Sequence, residues 1–182
     1  YAITFPDSDQ NQTFEYNITT GLWHERQSRK NGITSRWNAN AHIFFAGRNL
    51  IGDKDSGIIY ELDSNNFTEN GETILRNIIS TTLFNNFSKT SVSRFTLWMD
   101  TGVGLSINQG LDPQIMLKTS LDGGNTFGNN MMQPLGKIGE YKKEVYWTNL
   151  GNSRSIIFDI SLSDPVKFNI IGAFINLEIG RS

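Results

Sequence analysis

"ETILRNIISTTLF", residues 72–84, is the stretch on which the fold class turns. Its apolar residues Ile74, Leu75, Ile78, Ile79, Leu83 and Phe84 fit one face of a helix. Its Ile and Thr side chains, branched at Cβ and stiff at χ1, instead suit an extended backbone. The segments on both flanks read as strands, so the extended reading is the expected one, and with it the chain becomes all-β.

Upstream, residues 1–5, 13–18 and 22–27 are short runs rich in aromatic and β-branched residues. The last two are separated by Thr19-Thr20-Gly21, a gap of hairpin size whose glycine takes positive φ without penalty. Residues 37–46, 49–52 and 58–62 continue as an antiparallel meander, with turns at Gly47-Arg48 and through Lys54-Asp55-Ser56-Gly57. Downstream, residues 92–100, 114–119, 143–148, 155–162 and 167–177 again read as strands. In the first of these Val92, Arg94 and Thr96 alternate with Ser93, Phe95 and Leu97, the two-residue period of a strand with two faces. Short strands spaced about every ten residues suit a sandwich, barrel or propeller.

With 182 residues the chain is long enough for a buried core and holds one or two domains on the usual scale of roughly 100–200 residues each. A 37% hydrophobic and 19% charged composition is that of a globular protein, and a net charge of −2 gives no global reason to expect a nucleic-acid surface. The absence of cysteine excludes disulfides, thiolate nucleophiles and Cys-based zinc sites. No run approaches the roughly 18 apolar residues of a membrane-spanning helix. The start at Tyr1, without Met or an apolar leader, reads as an excised or processed part of a longer protein.

The twenty asparagines include four Asn-X-Ser/Thr sequons, beginning at Asn11, Asn17, Asn66 and Asn86. In so Asn-rich a chain these read as chance matches, and the asparagines as turn residues that tolerate left-handed backbone.

Most candidate chemical motifs have a plainer structural reading. "HERQS" at 24–28 lacks the second histidine of a zinc-peptidase helix, and His24 reads as a strand residue. Asp53-Lys54-Asp55-Ser56-Gly57 begins like a calcium loop but lacks the later ligands, which leaves a β-turn. "TGVGLS" at 101–106 has no Lys-Ser/Thr ending, so its glycines bend the chain after a strand. Lys137, Lys142 and Lys143 are interrupted by Glu140 and Glu144 and read as a solvated face. Trp23, Trp37, Trp98 and Trp147 fall in expected strands, where burial is commoner than a sugar-stacking surface.

"SLDGGNTF", residues 120–127, is the sharpest local signal. Ser120, Asp122, Gly124, Thr126 and Phe127 fit Ser-X-Asp-X-Gly-X-Thr-Trp with Phe in the last place, which resembles the Asp box of sialidases and other β-propeller proteins. The expected role is structural: the Asp carboxylate accepts turn amides, the glycine permits the turn and the aromatic packs beneath it. A sialidase would add converging arginines and a Tyr nucleophile with a carboxylate partner, which no local arrangement here identifies. No catalytic, cofactor-binding or metal-binding residue is assigned.

Seven longer segments, "TTGLWHERQS", "LIGDKDSGIIYELD", "DTGVGL", "DPQIMLKTSLDGGNTF", "LGKIGEYKKEVYW", "LGNSRSIIFDISLSDPV" and "IIGAFINLE", occur in an order that resembles the C-terminal half of the packaged-DNA stabilisation proteins of short-tailed bacteriophages. The chain departs from that family in Phe127, commonly Trp there, and in fewer basic residues around Lys142 and Trp147. The resemblance implies antiparallel β-meanders of β-propeller type over residues 1–66, followed by a β-rich, sandwich-like region over 67–182 that holds the Asp-box-like hairpin. It implies a structural tail accessory or hub protein of the virion, made in the host cytoplasm. Such a protein has no enzyme activity and no cofactor. Its expected partners are other tail and portal-complex proteins, in a homo-oligomeric ring that is hexameric by resemblance. Packaged DNA is expected nearby without sequence-specific binding, and no membrane is involved. The alternative is a carbohydrate-binding, lectin-like or sialidase-like propeller protein.

Overall fold

The computed structural model of the protein describes residues 1–6, 11–86 and 88–179. Phe87, inside the sequon that begins at Asn86, and the last three residues of the expected C-terminal region lie outside them. The described residues contain strands, turns and no helix, and every strand pairing is antiparallel. The chain divides into two compact units, residues 1–74 and 75–182.

In the first unit β1 (Ala2–Phe5), β2 (Gln12–Asn17), β3 (Leu22–Lys30) and β4 (Ile33–Arg36) form a four-stranded meander. The hairpin expected over residues 13–27 is present, with Thr13 opposite Arg26 and Asn17 opposite Leu22. Gly21 closes it at φ 69°, and Asn17 Oδ1 accepts the Thr19 and Thr20 amides. A second meander joins β5 (Ala39–Phe45), β6 (Arg48–Asp53) and β7 (Ile59–Leu62), followed by the small hairpin β8 (Thr68–Glu69) and β9 (Glu72–Thr73). The β5–β6 turn falls on Ala46-Gly47 and not on Gly47-Arg48: both residues have positive φ, 50° and 79°, as a two-residue hairpin turn requires, and Arg48 is already paired with Phe45.

The second unit is a sandwich. One sheet runs β10 (Arg76–Ile79), β16 (Ile157–Leu162), β12 (Gln114–Ser120), β13 (Met131–Pro134). The other has β11 (Thr90–Met99) at its centre, flanked on one side by β14 (Val145–Thr148) and β15 (Asn152–Ser153) and on the other by β17 (Ile170–Ile179). Alternate residues of each sheet point inward. Phe95, Leu97 and Met99 of β11 and Val145 and Trp147 of β14 meet Ile115 and Leu117 of β12 and Phe158, Ile160 and Leu162 of β16. Phe95 stacks on Phe158 at 4.5 Å between ring centroids, and Trp147 donates its indole N–H to the Met131 carbonyl at 2.9 Å. The sheets are open, and none closes on itself.

The stretch 72–84 is extended but not one strand. It is shared between β9 and β10 and then follows β16 through single contacts, Ser80 N to Phe158 O at 2.8 Å and Leu83 N to Ile156 O at 2.8 Å. Its helical spacing is incidental: Ile78 and Ile79 point to opposite sides of an edge strand and both stay exposed. The simple alternation expected from Val92 is also interrupted. Val92 is buried on the same side as Phe95, because Ser93 is an extra residue without a partner on β17, so the bulge resets the phase.

Candidate functional site

Residues 121–130 connect β12 to β13 as one tight loop. Ser120, the last residue of β12, is completely buried, and its hydroxyl donates to Asp122 Oδ1 at 2.7 Å while accepting the Gly124 amide at 2.8 Å. Asp122 Oδ1 also accepts the Thr126 amide at 2.9 Å, and Oδ2 accepts the Thr126 hydroxyl at 2.6 Å. Asn125 Nδ2 returns to the Asp122 carbonyl at 2.8 Å, and Gly128 N bonds to the Thr119 carbonyl at 2.9 Å. Gly123 and Gly124 take φ of 76° and 100°, a pair that side chains disfavour.

The electrostatics follow from this geometry. Three donors, first the Thr126 hydroxyl, then its amide and the Ser120 hydroxyl, stabilise the charged form and hold the Asp122 carboxyl well below the usual carboxylate range. A carboxylate so strongly stabilised is a poor base, and its lone pairs face its own loop. The structure therefore brings Ser120, Asp122, Gly124 and Thr126 into one hydrogen-bonded network. Phe127 stands outside it with 37% of its surface exposed. On the far side, Ser153 Oγ donates to the Leu121 carbonyl at 2.5 Å, and Gly151 lets Leu121 approach to where a Cβ would meet its Cδ1 at 2.9 Å.

The other singled-out residues are dispersed. Asp53 Oδ2 accepts the Ser56 hydroxyl at 2.5 Å within the β6–β7 turn, and among the described residues no group of three His, Asp or Glu side chains is placed to hold a metal ion. His24 is exposed on β3, and the His42 ring is 3.1 Å from Asn49 Oδ1. The arginines are engaged separately. Arg26 pairs with Glu15 and lies over Trp37, and Arg48 pairs with Glu61. Arg76 donates to the Asp164 and Val166 carbonyls, and Arg94 pairs with Glu144 over the Tyr146 ring.

Burial of the tryptophans needs correction. Trp147 is buried as expected, whereas Trp23 and Trp98 are 54% and 57% exposed. Trp37 is half-buried between β4 and β5, outside any strand. Residues 23 and 98 lie in strands but on the faces turned away from a core, which strand propensity alone does not reveal.

The scan of protein families matches residues 76–178 to the family described as bacteriophage P22 Gp10, beta-sandwich. No curated protein matches the chain. The matched segment begins and ends with the strands β10 and β17, so it covers the sandwich from its first strand to its last. The chain therefore belongs to the bacteriophage P22 Gp10 beta-sandwich family and is a bacteriophage structural protein.

Proposed function

We propose that the protein is a tail accessory or hub subunit that closes the tail channel after DNA packaging and keeps the genome inside the virion. The carrying observation is the family match across the whole sandwich, 76–178. On this reading the protein acts by assembly: it joins other tail and portal-complex proteins, forms a homo-oligomeric ring, hexameric by resemblance, and resists DNA pressure through broad interfaces. Residues 1–66 supply meanders of β-propeller type, which a four-stranded and a three-stranded meander in this region support. Residues 67–182 supply the sandwich-like region. Ser120, Asp122, Gly124, Thr126 and Phe127 serve as an Asp-box-like fastening of a turn and do no chemistry. The protein hydrolyses nothing, needs no cofactor and lies near packaged DNA without reading its sequence. It resides in the virion after assembly in the host cytoplasm.

The test is deletion of the gene that encodes the chain. Particles should package DNA and then lose it, whereas full genome retention in such particles rejects the stabilisation role. A carbohydrate-binding reading keeps one observation in its favour, the exposure of Trp23 and Trp98. It requires that the purified protein be retained on host polysaccharide, and release of reducing sugar would make it an enzyme.

A further inference from the structure

The seven residues 137–143 carry Lys137, Lys142 and Lys143, all exposed. In the sequence Glu140 and the following Glu144 offset them, but the structure pairs Glu144 with Arg94 and ties Glu140 to a backbone amide, so neither acid is ion-paired to a lysine of the loop. Glu144 is 2.5 Å from Arg94 Nη2, and Glu140 Oε2 accepts the Lys137 backbone amide at 2.9 Å. Among the described residues none of the three lysines forms an ion pair. Charge is also divided unequally. Residues 1–74 hold six Lys and Arg against ten Asp and Glu, whereas 75–182 hold ten against eight, so the unit bearing this loop is net positive in a net negative chain.

The loop is fastened beside an aromatic surface. Thr101 Oγ1 donates to the Tyr141 carbonyl at 3.0 Å, and the Tyr141 ring approaches Gly102 to 2.8 Å from where its Cβ would stand. This places the loop at the end of β11 that carries Trp98. On the outward face of that sheet Trp98 lies opposite Gly172, beside which there is open space, and Phe174 is two pairs further along on the same face, opposite Thr96. Tyr141 is 73% exposed, and Trp98 and Phe174 are each 57% exposed. The outer face of a sandwich is ordinarily polar, so exposed rings there need a partner.

We propose that this end of the sandwich is a nucleic-acid contact surface: Lys137, Lys142 and Lys143 meet the phosphates of a strand, and Trp98, Tyr141 and Phe174 offer ring faces to its bases. Uncommitted lysines beside stackable rings are what a single strand requires. A protein partner is less well matched, because lysine is depleted at interface cores. A neutral sugar would make no use of the three charges. Binding by three lysines is weak and indifferent to sequence. This surface is independent of channel closure, since a chain that binds no oligonucleotide could still close a channel by assembly.

The experiment measures fluorescence anisotropy of a labelled oligothymidylate of about 20 nucleotides, and of a duplex of equal length, against the full chain from about 50 to 200 mM salt. With about three phosphates contacted, log K against log salt should fall with a slope near −2. The single strand should bind more tightly than the duplex. Lys142→Glu with Lys143→Glu should remove binding. Trp98→Ala should weaken single-strand binding about tenfold and leave the slope unchanged, and melting curves should show that both variants stay folded. No binding at the lowest salt, or binding that both variants retain, overturns the proposal. So does duplex binding that is indifferent to Trp98→Ala, or retention on neutral dextran that Trp98→Ala abolishes without any oligonucleotide binding.

Discussion

Ser120 and Asp122 divide the work of the β12–β13 loop, and each makes a distinct prediction. Ser120→Ala removes a completely buried hydroxyl that both donates to Asp122 Oδ1 and accepts the Gly124 amide. Urea unfolding should show a loss of about 1–3 kcal/mol. Asp122→Asn should lower the melting midpoint at neutral pH. Because the folded carboxyl is depressed, its contribution is present above the unfolded value of about 3.9 and is lost as pH falls through the lower folded value. The gap between variant and parent should therefore narrow only below about pH 4. Glu69 works in the opposite direction. Burial is the largest cause of its raised pKa, partly offset by the hydrogen bond from Ser28 Oγ at 2.8 Å. A raised folded pKa gives a contribution present below the unfolded value and lost as pH rises through the folded one. Glu69→Gln should thus raise the melting midpoint at pH 7, and the advantage should shrink towards pH 4. The network around Asp122 was legible in the sequence, since every bond in it joins residues within four positions. Glu69 was not, because its partner is forty-one residues away. The asparagines were legible too: Asn11, Asn31, Asn70, Asn86, Asn108 and Asn149 all have positive φ, where their short polar side chain is tolerated.

At the scale of elements, the glycines of "TGVGLS" bend the chain for a reason that the motif itself does not display. Gly102, at φ 71°, and Gly104 let the backbone of residues 137–141 lie against them. A Cβ on Gly102 would stand 2.9 Å from the Glu140 carbonyl carbon and 2.9 Å from the Tyr141 amide nitrogen, and one on Gly104 would stand 3.0 Å from the Lys137 Cα. Gly102→Ala combines a strained φ with a clash against backbone, which cannot swing aside. It should cost about 2 kcal/mol or more in denaturant unfolding. Local pattern located most strands because their alternation is local. It missed β4, β8, β13 and β15, which are four residues or fewer and are held mainly by their neighbours in the sheet. It also misread the phase of Val92, since a bulge is set by the register between β11 and β17, whose paired residues lie more than seventy positions apart.

The two units differ in what holds them, and that difference is open to test on the whole molecule. Among the described residues of 75–182, fifteen buried apolar side chains form a single cluster between two sheets. In residues 1–74 the buried apolar side chains among the described residues are Ala39 and Ile51, and the buried centre is otherwise polar, with Thr13 and Ser28. Ser28 Oγ accepts the Asn38 amide at 2.9 Å and Thr13 Oγ1 is 3.0 Å from Thr4 Oγ1, bonds whose net contribution is about 1 kcal/mol each. Meanwhile Ile43, Phe45 and Ile59 share one face of the β5–β6–β7 sheet and remain exposed, so that sheet gains little from burial. Backbone amides are protected in proportion to the free energy of the opening that exposes them. Hydrogen exchange on the intact chain should therefore find the slowest amides in β11, β12 and β16, with β5–β7 exchanging faster by orders of magnitude. Addition of the protein's assembly partners should slow β5–β7 selectively if that exposed face is where they bind. Equal protection of the two units in the isolated chain would mean that the polar network of the first holds it as firmly as the apolar core holds the second.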